Sequence, residues 1–261
     1  MSTQAQKAQA FQELHAQPGC FVIGNAWDAG SARMLADLGF KAIATSSGAS
    51  AKSMGKVDGQ LTREQVLQHL RDVVGACDLP VSADLENGFG DRPEEVAETF
   101  RLVVETGIVG GSVEDGLRGL KEVYDIGLAA ERVAAAREAT RHLPFPFHLT
   151  ARCENFIQGR MDLDDTIKRL QAYERMGADM LFAPGLRTLE QVREVCSAVK
   201  LPVNFMAGIP GASFPVAALA EAGVKRVILA TSLYSAAMRA ARAAATEALE
   251  KGSFDYINNA K

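Results

Sequence analysis

Acidic side chains stand where two short apolar segments of this chain end. Asp84 and Glu86 lie in Ala83-Asp84-Leu85-Glu86-Asn87-Gly88-Phe89-Gly90, and Glu114 lies in Ser112-Val113-Glu114-Asp115-Gly116. A third segment, Thr150-Ala151-Arg152-Cys153-Glu154-Asn155, closes on an arginine. Gathered carboxylates repel one another, so a convergent set suits a hard cation such as Mg²⁺. Arginine beside such a set can fork onto an anionic substrate. Asp84, Glu86 and Glu114 are therefore the expected metal set, with Arg152 facing the substrate.

The stretch Ala44-Thr45-Ser46-Ser47-Gly48-Ala49-Ser50 adds a second kind of chemistry. Small residues let backbone N–H groups approach an anion closely, and the hydroxyls add donors. Thr45, Ser46, Ser47 and Gly48 are expected to cradle a carboxylate. Asn204, ahead of Met206-Ala207-Gly208, is expected at the same pocket, and Trp27 is expected to wall it. Asp91 and Asp115 read as cap or loop residues, with Asp115 turned away from Glu114. His148 reads as a hydrogen-bonded interior residue, while His15, His69 and His142 fall in helical segments expected to face solvent. Cys153 reads as a packed thiol.

These residues need a frame that brings strand ends together. Short apolar runs at Phe21–Gly24, Ala42–Thr45, Val81–Asp84, Gly111–Glu114, Phe147–Ala151, Met180–Phe182, Pro202–Met206 and Arg226–Ala230 read as buried parallel strands. Helix-length segments separate them. Thr62–Cys77 opens on an N-capping Thr62 and repeats apolar residues at three- to four-residue spacing; Pro93–Thr106 opens on proline. The others are Ser31–Leu38, Leu128–Arg141, Leu163–Met176, Thr188–Val199, Phe214–Ala222 and Leu233–Lys251, and Thr3–Gln17 predicts an extra helix before the first strand. Eight βα units in ~250 residues predict a (β/α)₈ TIM barrel spanning residues 1–261 as one domain. A doubly wound sheet fits less well, because no GxGxxG follows the first strand. In a barrel of this kind residues just after the strands share one catalytic face. Period-two alternation also places Asp84 with Glu86, and Arg152 with Thr150 and His148.

Composition bounds the alternatives. The chain has 261 residues, 48% hydrophobic and 23% charged, with a formal net charge of −4. It lacks the basic blocks with interleaved aromatics that nucleic-acid binding uses, and no run reaches the ~18–20 apolar residues of a membrane span. Four scattered cysteines without a CxxC pair predict a reducing, cytoplasmic setting.

Taken in order, Asn25-Ala26-Trp27-Asp28, Thr45-Ser46-Ser47-Gly48, Asp58, Ala83-Asp84-Leu85-Glu86-Asn87-Gly88, Val113-Glu114-Asp115 and Ala151-Arg152-Cys153-Glu154 resemble the isocitrate lyase/phosphoenolpyruvate mutase superfamily over nearly the whole chain. The resemblance implies a (β/α)₈ barrel, Mg²⁺ with Mn²⁺ as a substitute, and a 2-oxo acid or enolpyruvate-type ligand. It implies homotetramers in which the C-terminal helix swaps between subunits. Asp84 would bind the ion directly, with Glu86 and Glu114 bound directly or through its waters. Ser47 and Gly48 would hold the substrate carboxylate, Arg152 its anionic part, and Asp58 would stand near the ion's water shell.

Departures narrow the activity. Isocitrate and methylisocitrate lyases of the family carry a Lys-Lys/Arg-Cys-Gly-His loop after the fourth strand. Here that stretch reads Gly116-Leu117-Arg118-Gly119-Leu120-Lys121-Glu122-Val123-Tyr124-Asp125, without cysteine or histidine. The Asp-Lys and Asn of phosphoenolpyruvate mutases are missing too. Leu85-Glu86-Asn87-Gly88 resembles the carboxyphosphonoenolpyruvate mutase-like subgroup. The expectation is a Mg²⁺-dependent lyase or decarboxylase of a small 2-oxo carboxylate, with P–C chemistry or a non-catalytic binding protein as alternatives.

Overall fold

The computed structural model describes residues 1–258. Eight parallel strands close into a barrel in chain order: β1 (Phe21–Ala26), β2 (Ile43–Thr45), β3 (Val81–Asp84), β4 (Gly110–Glu114), β5 (His148–Arg152), β6 (Met180–Phe182), β7 (Val203–Met206) and β8 (Val224–Ile228). Pairing of β1 with β8, from Phe21 opposite Arg226 to Ile23 opposite Ile228, completes the ring. The helices are α1 (Gln4–Ala16), α2 (Ala29–Asp37), α3 (Ser47–Ser53), α4 (Arg63–Ala76), α5 (Pro93–Val104), α6 (Ile126–Thr140), α7 (Leu163–Arg175), α8 (Leu189–Ala198), α9 (Val216–Glu221), α10 (Ser232–Lys251) and the short α11 (Asp255–Asn258). The expected TIM barrel and its extra N-terminal helix are both present. No helix among the described residues is long and apolar enough to cross a membrane.

Local chemistry explains where the helices begin. Thr3, Thr62 and Thr188 each accept the backbone N–H three residues on, while Gln6, Gln65 and Gln191 reach back to the cap. Apolar faces of α4 (Val66, Leu70, Val73) and α5 (Val96, Phe100, Val103) then bury against β3 and β4. Cys153 is buried in the same core cluster, as expected of a packed thiol.

Two elements depart from expectation. The Ser47–Gly48 stretch is the first turn of α3, capped by the Ser46 hydroxyl 3.4 Å from the Ala49 N–H. Its small polar residues mask a helix that makes few apolar contacts of its own. The last strand starts at Val224 rather than Arg226, and the chain leaves it through Ala230 at φ 46. This two-residue shift puts Arg226 in the middle of the strand.

Helix α1 stands outside the outer ring. Phe11 packs with Ala8, Ile23, Ala42 and Val109 and plugs the N-terminal end of the barrel. His15, expected in solvent, instead stacks on His148 with ring centroids 3.9 Å apart. Its Nδ1 lies 2.7 Å from the Phe11 carbonyl and its Nε2 3.3 Å from Arg226 Nη1, so the neutral ring donates to the first and accepts from the second. His69 is also buried, with Nε2 3.1 Å from the Ser50 hydroxyl and 3.0 Å from the Trp27 carbonyl. Only nonlocal packing buries these two rings, and helical periodicity does not report it.

The histidine plug makes a pH prediction. Burial, Arg226 and Lys225 lower the His15 pKa from 6.5 to about 3, and burial pushes His148 well down as well. The unfolded chain binds protons at these rings below about pH 6.5 while the folded one does not, so stability falls as pH drops from 6.5 toward 3. A His15→Phe variant keeps the ring stack without the proton. Between pH 6.5 and 4 its melting temperature should fall less than that of the wild type, and parallel curves would refute the assignment.

Candidate active site

The strand ends and the loops after them enclose a cavity of about 150 Å³ at the C-terminal face of the barrel. Thr45, Ser46, Ser47, Gly48, Asp58, Asp84, Arg152 and Asn204 all line it, so eight expected site residues meet at one place. An adjoining cavity of about 190 Å³ shares Ser47, Asp58 and Arg152 and adds Glu86, Glu114, Arg118 and Glu154. Trp27 lies elsewhere: it lines a surface depression beside Met54 and His69, and its ring meets Tyr234 of α10 edge-on at 5.6 Å. The chain turns from β1 into α2 at Asp28, and the Trp27 ring follows that turn away from the cavity.

Backbone geometry positions the acidic groups. Asp84 ends β3, its N–H donating to Thr45 Oγ1 at 3.0 Å, while its Oδ2 accepts the Ser47 N–H at 3.0 Å. Glu86 follows at φ 49, a left-handed conformation that costs a non-glycine residue free energy. The neighbouring loop is braced against that cost. Arg132 lies over the Tyr124 ring at 4.1 Å and donates to the carbonyls of Asn87, Gly90 and Asp91. Thr99 Oγ1 donates to the Gly88 carbonyl at 2.7 Å.

Arg152 stands at the centre of the charges. Its guanidinium lies 2.5 Å from Glu154, 3.2 Å from Glu114 and 3.6 Å from Asp84. The second cation is Arg118, whose Nε lies 3.0 Å from Glu86. Two guanidiniums thus face five carboxylates, counting Asp58, and the excess shows in their acidities. Burial pushes Glu86 up to about 7 despite Arg118, with Asp84 and Asp58 adding to the rise. Burial raises Glu114 and Glu154 above the ordinary carboxylate range even beside Arg152, and burial with Asp84 raises Asp58.

An excess of oxygen donors resisting ionisation is an environment that a hard divalent cation would relieve. Among the described residues, however, no three Asp, Glu, His or Cys side chains form a closed metal cage. The donor set therefore fits Mg²⁺ held by one or two carboxylates and its own waters, a mode that this ion favours. Each of the three expected ligands has a guanidinium partner in this structure, Asp84 and Glu114 at Arg152 (3.6 and 3.2 Å) and Glu86 at Arg118 (3.0 Å).

Several contributors were not foreseen. Asp115, read as a cap or loop residue, is buried and accepts the Glu154 N–H at 2.7 Å, Tyr173 Oη at 2.5 Å and Arg169 Nη1 at 3.1 Å. It therefore fixes Glu154, and through it Arg152. Asn25 Oδ1 accepts the N–H groups of Leu229 and Ala230 at 2.8 and 2.9 Å, holding the strained exit of β8 against the cavity. Arg226 lines the cavity floor. Asp115 and Asn25 stand inside quoted motifs, yet their partners are far away in sequence.

Gly48 is required by close approach: a Cβ there would sit 3.0 Å from Asp58 Oδ2 and 3.2 Å from Thr231 Cγ2. Gly48→Ala should displace Asp58 by a few tenths of an ångström. The expected outcome is a fall of about tenfold in kcat/KM at a stability cost of about 1 kcal/mol, measured by steady-state kinetics and urea unfolding. Unchanged kinetics would remove Gly48 and Asp58 from the reacting region.

Comparisons with known proteins bear on the family. The sequence model of the phosphoenolpyruvate phosphomutase family matches residues 11–249. A crystal structure from Burkholderia cenocepacia J2315, provisionally described as a lyase/mutase, superposes with a TM-score of 0.96 at 50% identity, covering 98% of this chain and 93% of that one. An oxaloacetate decarboxylase of Pseudomonas fluorescens is 31% identical over 241 residues, 89% of this chain and 81% of its own. A 2-methylisocitrate lyase of Salmonella typhimurium is 29% identical over 257 residues, 94% of this chain and 85% of its own. The chain belongs to the phosphoenolpyruvate phosphomutase family and, with it, to the enzymes of the isocitrate lyase/phosphoenolpyruvate mutase superfamily, which include carbon–carbon lyases.

Proposed function

We propose that the protein is a Mg²⁺-dependent lyase or decarboxylase that breaks a carbon–carbon bond of a small 2-oxo carboxylate through an enolate. The observation that carries this reading is the meeting of under-compensated carboxylates with Ser47, Gly48 and Arg152 around joined cavities. Asp84 would hold the ion directly, with Glu86 and Glu114 holding it through water, and Mn²⁺ would substitute. Once bound, the ion supplies a Lewis acid that stabilises negative charge developing on the substrate's oxo oxygen.

The chain's own residues do the rest. Ser47 and Gly48 bind the carboxylate, and Asp58, packed against Gly48 in the same cavity, holds that turn in place. Arg152 stays charged, because the carboxylates around it favour its cationic form, and it adds a fixed positive field where the enolate forms. The loop Gly116–Asp125 offers no cysteine or histidine as a general acid. Decarboxylation of an oxaloacetate-like acid, or retro-aldol release of pyruvate, needs an electron sink more than a strong acid, and the relationship to an oxaloacetate decarboxylase supports the same choice. The phosphoenolpyruvate phosphomutase match keeps P–C chemistry as the second reading, since it uses the same enolate.

The test is a panel of 2-oxo diacids and phosphonopyruvate with Mg²⁺, read by coupled pyruvate reduction. Pyruvate release from a diacid that EDTA abolishes supports the lyase reading, and consumption of the phosphonate alone, to pyruvate and phosphate or, followed by ³¹P NMR, to phosphoenolpyruvate, favours the second. Saturable binding without turnover across the panel would leave a non-catalytic 2-oxo acid binding protein and overturn both. Helix α10 has 20 residues and buries none of them in the single chain. We assign its apolar side chains to a swapped contact within a homotetramer, and sedimentation as a monomer would contradict that.

A further inference from the structure

We propose that Arg226 and the Asn204 amide form an anion subsite at the floor of the cavity, one that takes the distal carboxylate of a dianionic substrate. The proposal rests on the 2-oxo acid reading and narrows its substrate class to short diacids.

Arg226 projects from the middle of β8 into the barrel and is 4% exposed. All of its partners are neutral: Nε donates to Asn204 Oδ1 at 3.0 Å, Nη2 to Thr150 Oγ1 at 3.2 Å, and Nη1 to His15 at 3.3 Å. No carboxylate of the described residues offsets it, and burial alone lowers its pKa from 12.5 to about 9. A guanidinium taken from water without a counter-charge is costly, and buried charges in folded proteins are ordinarily paired.

A second, independent sign is the Asn204 side chain. Asn204 is 2% exposed, and its Nδ2 is buried without a hydrogen-bond partner. Donation by Arg226 Nε fixes the other end of the amide as the acceptor, which orients the free NH₂. Asn204, Arg226 and the hydroxyl-bearing Ser82, Ser112 and Thr150 line one cavity. The floor therefore presents unpaired donors and one unpaired positive charge, a set that an anion completes.

Arg152 cannot serve in its place, since three carboxylates already surround it. Thr150, which touches Arg226, lies two residues before Arg152 on β5, so the floor sits ~6.6 Å along the strand from the Arg152 layer. Ser47 and Gly48 line the same cavity as Arg226, the arrangement a short aliphatic diacid needs to place one carboxylate at each. A free inorganic anion such as chloride or phosphate has the same recognition chemistry and must be separated by experiment.

Calorimetry on the full chain with Mg²⁺ and unreactive probes provides the test. Succinate should bind wild type at least about tenfold more tightly than butyrate of the same length. Arg226→Met should lose that preference while binding oxalate, which is too short to reach the floor, within threefold of wild type. Equal affinity of wild type for succinate and butyrate would overturn the proposal, and this arm needs no variant to fold. Equal loss of succinate and oxalate in a folded Arg226→Met, judged by circular dichroism, would overturn it as well. So would chloride or phosphate binding as tightly as succinate and excluding it, which would make the floor a counter-ion site. Because none of these probes reacts, absence of turnover would sink the lyase reading while leaving the preference for diacids intact.

Discussion

Asp84→Asn should abolish turnover, by about 10³-fold or more, while leaving the barrel folded. Asp84 is the one carboxylate that touches both sides of the site: it accepts the Ser47 N–H at 3.0 Å and faces Arg152 at 3.6 Å. Asparagine keeps the shape and one acceptor oxygen, so the hydrogen bond to Ser47 survives and stability should change by only about 1 kcal/mol. What is lost is the negative charge that would grip the ion, and with it the electrostatic stabilisation of the enolate, to which mutagenesis elsewhere assigns factors of about 10²–10³ per group. The checks are pyruvate release, thermal melting and Mg²⁺ titration on one preparation. Activity within tenfold of wild type, or full activity in EDTA, would show that the carboxylates serve only to balance Arg152.

Sequence patterns gave the places of the chemistry better than its partnerships. Asp84, Glu114 and Arg152 were legible because a period-two apolar run ends at each, and a barrel brings strand ends to one face. Ser47 and Gly48 were legible as residues of the pocket, but not as the start of α3, since their small polar side chains carry no apolar periodicity. What Arg152 does with its charge was hidden. Its closest partner, Glu154, is two residues away in the chain, but its environment depends on Asp115, Tyr173 and Arg169 arriving from separate elements. Arg226 was hidden for a different reason. With β8 placed two residues too late, it falls at a strand start, where an arginine reads as a solvated end. His15 and Trp27 fail alike: one stacks on a residue 133 positions on, His148, and the other meets Tyr234 edge-on.

Arg152→Met should be the most destabilising single change at the site. In the native protein its guanidinium compensates Glu154, whose side chain is 3% exposed, and Glu114, which is 17% exposed. Methionine fills similar space but leaves those carboxylates without a positive partner, and removing one member of a buried ion pair costs about 3–5 kcal/mol. The cost must depend on pH, and its sign follows from the acidities. Burial holds Glu114 and Glu154 above the usual carboxylate range even with Arg152 present, so its loss raises them further. The folded variant then retains protons that the unfolded chain releases above about pH 4.3, and its stability falls as pH rises. Urea midpoints should therefore separate wild type from Arg152→Met more at pH 8 than at pH 5. Neutralising one stranded acid should return part of the loss, making Arg152→Met/Glu154→Gln more stable than Arg152→Met at pH 8. A double variant no more stable than the single one would mean that Arg152 supports the fold through packing against Phe182, 5.4 Å from its guanidinium, rather than through charge.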